Sequence, residues 1–267
     1  MDHRYETPFV RSLAIQWRVI KALMMREVVT RYGRENLGLL WLIAEPMVFT
    51  IGVALMWAES GLRHFSNVPV FAFAITGYSS VLMWRTTVSR CNHAVRENFN
   101  LLYHRNVLVL DVFLARILLE MAGVTASFTF LILLFTAGGV IDLPQDPLKV
   151  VEGWIMLAFF GGSLAILIGS ANSHSELVER VWHPVSYLMF PLSGAAFMVD
   201  WLPESARGVI LLLPNVHGLE LLRDGYFGNL VRTHYDSGYA ATVDLCMLFL
   251  GLLLMRSAAR RVESPVQ

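Results

Sequence analysis

Long apolar stretches constrain this chain more than any other feature of its sequence. Only 16% of its residues are charged, whereas a typical soluble domain has about 25%. The apolar stretches approach the roughly 20 residues that a helix needs to cross a bilayer. The sequence therefore predicts an all-α polytopic membrane protein with six transmembrane helices, at about residues 37–57, 68–84, 117–140, 151–171, 184–199 and 239–255.

The distribution of lysine and arginine predicts the orientation of these helices. With a cytosolic N-terminus, fifteen basic residues fall on the cytosolic side, including those of a basic tail at 256–267, and five fall on the outer side. Such an excess on the cytosolic side is the usual bias, so we expect an N-in/C-in topology. No signal peptide is expected, because no short cleavable apolar region follows the first arginines. Cys91 and Cys246 would lie in different compartments, so we expect no disulfide.

Residues 1–36 are predicted to form a cytosolic tail and an amphipathic interfacial helix. Apolar residues recur at helical spacing between Phe9 and Tyr32, but the segment carries too many charges to span a bilayer. Such a helix is expected to lie in the headgroup layer. An ordinary amphipathic core helix is the alternative.

The longest predicted cytosolic connection, residues 85–116, contains the apolar and aromatic run FNLLY at 99–103. A solvated loop has no need of several large apolar side chains together. The run is therefore interpreted as a docking element for a soluble partner. A short helix packed on the underside of the membrane domain is the alternative.

Residues 200–238 are predicted to form a re-entrant helical hairpin on the outer side, between spans five and six. Two apolar pieces, Gly208–Leu213 and Val216–Leu222, flank Pro214, and neither is long enough to cross a bilayer. Broken helices at membrane depth are typical of transport paths. A plain extracellular loop with two surface helices is the alternative.

The sequence lacks the common catalytic motifs. No GxxxxGK[ST] phosphate-binding loop, HExxH metal motif or GxSxG nucleophile elbow occurs. We therefore predict that the chain is not an enzyme and has no catalytic residues and no metal site. A membrane-embedded glycosyl- or acyltransferase would need clustered acids or a His-Asp pair near one membrane face. A channel-like or scaffolding subunit without energy coupling is the other class left open.

Three segments resemble those of a known family, the membrane subunits of bacterial ABC exporters of capsular polysaccharide, within the type-2 ABC permease group. REVVTRYGRENLGLLWLIAEP at 26–46 resembles the family's R-E-x-x-T-R-[FY]-G, L-G-x-L-W and E-P pattern. FNLLYHRNVLVLDVFLARILLE at 99–120 resembles its cytosolic loop with a coupling helix. HGLELLRDGYF at 217–227 resembles its H-x-x-E-x-x-R run. Leu213 and Val107 depart from residues that are common in the family.

The resemblance implies a homodimer of this chain, bound to two separate ABC ATPase chains that carry ATP and magnesium. This chain is then expected to bind no cofactor. The resemblance also implies export of a lipid-linked polysaccharide across the bacterial inner membrane, with periplasmic and outer-membrane export proteins as further partners and no nucleic acid. Permeases for O-antigen, teichoic acid or drugs are the nearest alternatives. The residues implied in coupling to the ATPase are Asn98, Phe99, Leu101, Leu102, Tyr103 and Arg105.

Three further sets of residues are candidates for contact with a transported polymer. Aromatic and hydroxyl side chains line a sugar path as readily as they pack helices, and both alternatives stay open for Trp41, Glu45, Phe73, Ser80, Trp84 and Arg85. Arginines at the cytosolic side either attract an acidic glycan or simply anchor the topology; these are Arg26, Arg31, Arg34 and Arg90. The outer hairpin contributes Trp201, Pro214, His217, Glu220 and Arg223.

Two local pairs carry separate predictions. Pro46 predicts a kink in the first span, and Glu45 is an intramembrane acid, which is costly unless it faces protein or water. Glu45 either ties the span to an arginine or a backbone amide, or it lines the path. Arg116 and Glu120 are four residues apart and could pair on one helix face.

Overall fold

The computed structural model describes residues 8–33, 38–59, 64–65, 68–102 and 107–263. Within these ranges the chain is helical, apart from linkers, two 3₁₀ turns and a short antiparallel hairpin of β1 (His64–Phe65) and β2 (Val68–Pro69). This agrees with the predicted all-α class.

The first helix, α1 (Pro8–Tyr32), confirms the helix predicted near the N-terminus. Its second half packs on the bundle, where Ile20, Leu23 and Val28 are buried. Leu13 and Trp17 in its first half are exposed, at 56% and 50%. The helix therefore combines a packed half with an apolar surface free for a membrane interface.

Four described helices are long and apolar enough to cross a membrane, judged by length and composition. They correspond to the first, third, fourth and sixth predicted spans. α2 continues through Pro46 without a break. The four are α2 (Gly38–Glu59), α6 (Val109–Ala137), α7 (Pro147–Asn172) and α11 (Ser237–Glu263).

Helices also occupy the second and fifth predicted spans, but neither meets the same criteria. α3 (Val70–Cys91) is too polar, and α8 (Glu176–Leu192) has 17 residues and contains Pro184 and Pro191. Six crossings and the N-in/C-in topology therefore stay predictions. Between α3 and α6, the short helices α4 (Ala94–Glu97) and α5 (Phe99–Leu102) occupy the middle of the predicted cytosolic connection.

The polar residues of α3 are explained by its position between α2, α6 and α7. Its hydroxyl groups donate to carbonyls of their own helix, as Thr76 does to Ala72 at 2.9 Å and Ser80 does to Gly77 at 2.6 Å. A hydroxyl bonded in this way can be buried without an unpaired donor. α3 is thus buried along most of its length although its sequence is not uniformly apolar.

The region after α8 contains two helices, and their re-entry into the membrane from the outer side stays a prediction. α9 (Glu204–Ile210) and α10 (Pro214–Phe227) are separated at Pro214, which occupies the first turn of α10. α10 is almost entirely buried and packs closely on α7. A Cβ built on Gly153 of α7 would lie 2.5 Å from the backbone nitrogen of Leu222, so this approach requires glycine.

The bundle has two distinct ends. The charged end comprises α1, α4, α5, the starts of α6 and α8, and the ends of α3 and α7; Asn172 Nδ2 donates to Asn92 O there at 2.7 Å. The opposite end comprises the α6–α7 linker, the 3₁₀ turn Val199–Trp201 and the α9–α10 hairpin. Asp146 N donates to Gly225 O there at 2.8 Å.

Candidate functional site

A network of buried ion pairs joins the helices at the charged end. Arg31 of α1 bonds to Glu27 at 2.9 Å and to Glu120 of α6. Arg116 of α6 bonds in turn to Glu27 at 3.3 Å and to Glu97 of α4 at 2.5 Å. Arg31, Glu120 and Arg116 side chains are at most 10% exposed. The network therefore links α1 and α6 through charges that are largely removed from water, and it reaches α4 through Glu97, whose side chain is 56% exposed.

The predicted pairing of Arg116 with Glu120 on one helix face is wrong. Glu120 pairs with Arg31 and, at 3.5 Å, with Arg90 of α3, whereas Arg116 pairs with Glu27 and Glu97. Both residues lie on the buried face of α6, so partners on neighbouring helices compete with the residue one turn away. Local spacing alone cannot reveal such partners.

Burial lowers the pKa of the Arg31 guanidinium, but the carboxylates of Glu120 and Glu27 act in the opposite direction and prevail, so the pKa is raised. Arg31 therefore stays charged throughout the physiological pH range.

The arginines predicted to attract an acidic glycan have partners within the protein. Arg26 donates to Asn98, and Arg31 is held by two carboxylates. Arg90, with a side chain 40% exposed, pairs with Glu120 at 3.5 Å, and together with Arg26 and Arg31 it lines a cavity of about 650 Å³. Arg34 lies outside the described residues. Attraction of an anion by this set stays a prediction, and Arg26 and Arg90 are its more accessible described members.

The residues predicted to contact an ATPase divide into two groups. Phe99 is 51% exposed, whereas Leu102 is 8% exposed and Leu101 packs beside it against the core. Asn98 is buried, accepts from Arg26 and donates to Ala94 O at 2.9 Å. Tyr103 and Arg105 lie outside the described residues. Within the described part, Phe99 is the residue available to a partner, and the other three hold it in place.

The residues predicted to line a path also differ in accessibility. Phe73, Ser80 and Trp84 of α3 are buried by this chain's own helices, so none of them contacts a substrate in this conformation. Trp41 is 55% exposed. Arg85 is half-buried, with its guanidinium 5.0 Å from the ring centre of Tyr187. The path role of these residues stays a prediction, and Trp41 and Arg85 are the most accessible among them besides Glu45.

Glu45 has an exposed side chain on α2 and, among the described residues, no hydrogen-bond or ion-pair partner. It borders a small cavity of about 60 Å³ that Arg90 and Glu120 also line. The structural tie to an arginine or a backbone amide is therefore not formed within the described chain. Contact with a partner chain, water or substrate remains open to it.

At the opposite end, Arg223 of α10 is fully buried and binds the backbone that follows α8. Its guanidinium donates to the carbonyl oxygens of Gly194, Ala195 and Phe197 at 2.7, 2.7 and 2.8 Å. The same group lies 3.9 Å from the ring centre of Phe73. One side chain thus satisfies three carbonyls of a non-helical segment that is buried in protein.

Gly77 of α3 makes room for this arrangement. A Cβ at position 77 would lie 2.7 Å from Nη2 of Arg223, a contact that real Cβ atoms essentially never make. Because the helix has no side chain there, the guanidinium and the Ala195 carbonyl reach the surface of α3. Neither the glycine nor its role was identified from the sequence.

The two other polar residues of the H-x-x-E-x-x-R run also bind backbone groups. Glu220 accepts from the amides of Val199 at 3.2 Å and His234 at 3.0 Å. His217 Nδ1 accepts from the Asp236 amide at 2.9 Å, so its Nε2–H is free to donate to Leu211 O at 2.8 Å. Residues 217, 220 and 223 therefore act together, and we call them the backbone clamp.

The remaining predicted hairpin residues adjoin the clamp. Pro214 begins α10 and is buried, and Trp201 stacks on Phe73 with ring centres 5.4 Å apart. The structure thus brings these residues together at one end of the molecule, and their place on the outer side stays a prediction.

Replacing Arg223 by methionine is expected to destabilise the protein by about 3 kcal/mol or more, because three buried carbonyls lose their donor. The thermal unfolding midpoint of the purified protein in detergent measures this. Arg180→Met is the control, since Arg180 is exposed on α8. A normal midpoint for Arg223→Met combined with lost activity would refute the clamp and favour a direct role in transport.

Glu120→Gln is expected to destabilise the protein by about 3 kcal/mol, because it leaves Arg31 with only one carboxylate in a buried site. The matched control is Glu176→Gln, which removes a carboxylate from an ion pair with Arg96 that is 63% exposed on both sides. Exposed pairs contribute about 0–1 kcal/mol. Equal losses of stability in the two variants would contradict the importance of the buried network.

Comparison with known proteins places this architecture in a family. Residues 18–227 match the ABC-2 type transporter family. The capsule polysaccharide export inner-membrane protein CtrC of Neisseria meningitidis serogroup B is 41% identical over 98% of this chain and 99% of its own length. The corresponding protein BexB of Haemophilus influenzae is 38% identical over the same shares. The polysialic acid transport protein KpsM of Escherichia coli is 25% identical over 91% of this chain and 94% of its own.

The family match covers most of the chain and extends from α1 to the end of α10, so it includes both the buried ion-pair network and the backbone clamp. The chain therefore belongs to the ABC-2 type transporter family.

Proposed function

We propose that this chain is the membrane-spanning subunit of an ATP-driven exporter that moves a lipid-linked capsular polysaccharide across the bacterial inner membrane. The observation that carries the proposal is similarity along 98% of the chain to proteins named for capsule polysaccharide export at the inner membrane. The sequence has no phosphate-binding loop of its own. Hydrolysis of ATP, with magnesium, then belongs to a separate ATPase chain.

The charged end is the proposed docking site for that ATPase. Phe99 offers an exposed aromatic side chain on a helix of one turn, which Leu101 and Leu102 anchor to the core. Large aromatic residues are frequent energetic centres of protein interfaces. A groove on the ATPase that encloses Phe99 would hold α5 directly.

Movement of α5 would reach the bundle through side-chain bonds of the two residues that precede it. Asn98, adjacent to Phe99, bonds to Arg26 of α1, and Glu97 bonds to Arg116 of α6. Displacement of α4 and α5 by the ATPase therefore acts on α1 and α6 without an intervening flexible segment. This chain would supply the path and the coupling, and its partner the chemistry.

We also propose that two copies of the chain associate, with α8 at or near their contact. Only Trp182 and Ser186 of α8 are buried within the chain. Pro184 and Pro191 have no N–H, so the helix carbonyls of Arg180 and Tyr187 lose their usual donors. Backbone irregularity at membrane depth requires burial in protein or a wet cavity. A second copy of the chain would provide burial in protein, and a path formed between two copies would provide a wet cavity.

Export of O-antigen, teichoic acid or a drug would use the same architecture, but the relatives' names favour capsular polysaccharide. In the relatives' setting, periplasmic and outer-membrane export proteins would continue the route. A membrane glycosyl- or acyltransferase has no specific observation in its favour.

The proposal predicts that Phe99→Asp reduces co-purification of a co-expressed ABC ATPase at least tenfold and abolishes capsule in a permease-deletion strain. The acid would enter an apolar groove of the partner without a counter-charge. Leu101 and Leu102 are unsuitable for this test, because acids there would disturb the core.

The matched control is Leu143→Asp, an identical change in charge at a residue 60% exposed at the opposite end. It is expected to retain both ATPase binding and capsule. Undiminished ATPase binding by Phe99→Asp would refute the docking site. Failure of the unaltered chain to bind any ABC ATPase, or to restore capsule with one, would refute the proposed function.

A further inference from the structure

A polar cavity of about 670 Å³ lies at the opposite end of the bundle, which is the outer end in the predicted topology. We call it the outer cavity. Its walls come from the end of the α6–α7 linker, the start of α7, the 3₁₀ turn at Val199–Trp201 and the chain after α10. The volume lies within the range of about 300–1,000 Å³ that is usual for small-molecule sites.

The walls of the outer cavity are held by bonds that do not involve its polar side chains. Gln145 N donates to Tyr226 O at 3.3 Å, and Asp146 N donates to Gly225 O at 2.8 Å. The Tyr226 hydroxyl donates to Asp142 O at 2.9 Å. These bonds tie the α6–α7 linker to α10, so a ligand would meet a site that is already formed. A preformed site reduces the entropy lost on binding.

The carboxylates around the cavity are already engaged. Asp224 accepts from Lys149 Nζ at 2.8 Å, and Asp146 caps α7 by accepting from the amides of Leu148 and Lys149. Asp200 accepts from His234 Nε2 at 3.1 Å. That bond, despite partial burial and with help from the charge of Arg207, holds the pKa of Asp200 below its usual value. The acids therefore serve the protein's own structure.

The groups left for a ligand are mainly donors. Gln145, Asn229 and Arg232 line the cavity, and within the described chain their side chains form no hydrogen bond or ion pair, although the charge of Arg232 acts on Asp200 and helps to lower its pKa. They provide two amides, which both donate and accept, and one guanidinium, which favours a carboxylate. The apolar side chains of Val68 and Met198 at the cavity are only 1% exposed, whereas those of Trp201 and Leu230 are 39% and 50% exposed. Exposed aromatic rings can pack against the apolar face of a sugar.

We infer that the outer cavity is a binding site for an acidic saccharide, a short stretch of carboxylate-bearing sugars in which Arg232 binds the carboxylate and Gln145 and Asn229 bind hydroxyl groups. This inference rests on the proposed function for the identity of the polymer, because the exported glycan would pass this end on leaving the membrane. The site would hold the emerging chain briefly and favour outward movement.

The test measures binding of trigalacturonate to the purified chain in lipid nanodiscs by calorimetry, with maltotriose and acetate as comparison ligands. Trigalacturonate is expected to bind more tightly than maltotriose at equal concentration, and acetate is expected to give no measurable binding. Arg232→Gln is expected to weaken trigalacturonate binding at least tenfold, and Asn229→Ala or Gln145→Ala about threefold. Arg180→Gln, at an exposed arginine near the charged end, is the control and should bind normally.

Several results would overturn the inference. These are no binding of trigalacturonate, equal binding of acetate, or undiminished binding by Arg232→Gln. Loss of a periplasmic partner from Arg232→Gln with normal saccharide binding would identify the cavity as a protein-docking site instead.

Capsule production and ATPase binding are measured on the same variants. If the chain binds the ATPase and restores capsule but does not bind the saccharide, only the inference about the outer cavity is refuted. A chain that binds saccharide but no ATPase refutes the proposed function.

Discussion

The structure depends on satisfying backbone groups where the helices stop inside the protein. Between the end of α8 and the start of α11 the chain turns several times, and much of that backbone is buried. Arg223 satisfies three of its carbonyls, Glu220 binds two of its amides, and His217 binds one carbonyl and one amide. Unpaired groups of this kind cost about 1–3 kcal/mol each. The backbone clamp therefore makes the hairpin possible, and the close packing of α10 on α7 fixes the clamp in place.

At the charged end, buried charged side chains join helices to one another instead of binding irregular backbone. There the four-residue helices α4 and α5 lack the length to be stable alone, and ion pairs join α1 and α4 to α6. Breaking one partner of such a pair is much more costly than the pair is worth in isolation, so the elements are bound to move together. Charged residues therefore have different structural roles at the two ends. At the opposite end they fix an irregular backbone, and at the charged end they connect α4, next to α5, to α1 and α6.

The sequence predicted the helices well, because apolar runs and Pro214 are local signals. It also grouped His217, Glu220 and Arg223 with the outer hairpin. It did not predict what those residues bind, since their partners are backbone groups whose position depends on the fold. It predicted the wrong partner for Glu120, because Arg31 is 89 residues away in the chain and no spacing rule joins them. The burial of α3 could not be predicted from the sequence either, because its hydroxyl residues are typical of a more exposed helix.

The measurement that tests this account most directly is the sidedness of the segment after α8. Single cysteines at Ala196, Asn229 and Ser175, all exposed positions, would be introduced after replacement of Cys91 and Cys246, and labelled in intact spheroplasts with a membrane-impermeant maleimide. The account predicts that positions 196 and 229 are labelled from outside, and that position 175 is labelled only after permeabilisation. Labelling of 196 and 229 from opposite sides would mean that the hairpin crosses the membrane, and would contradict the account.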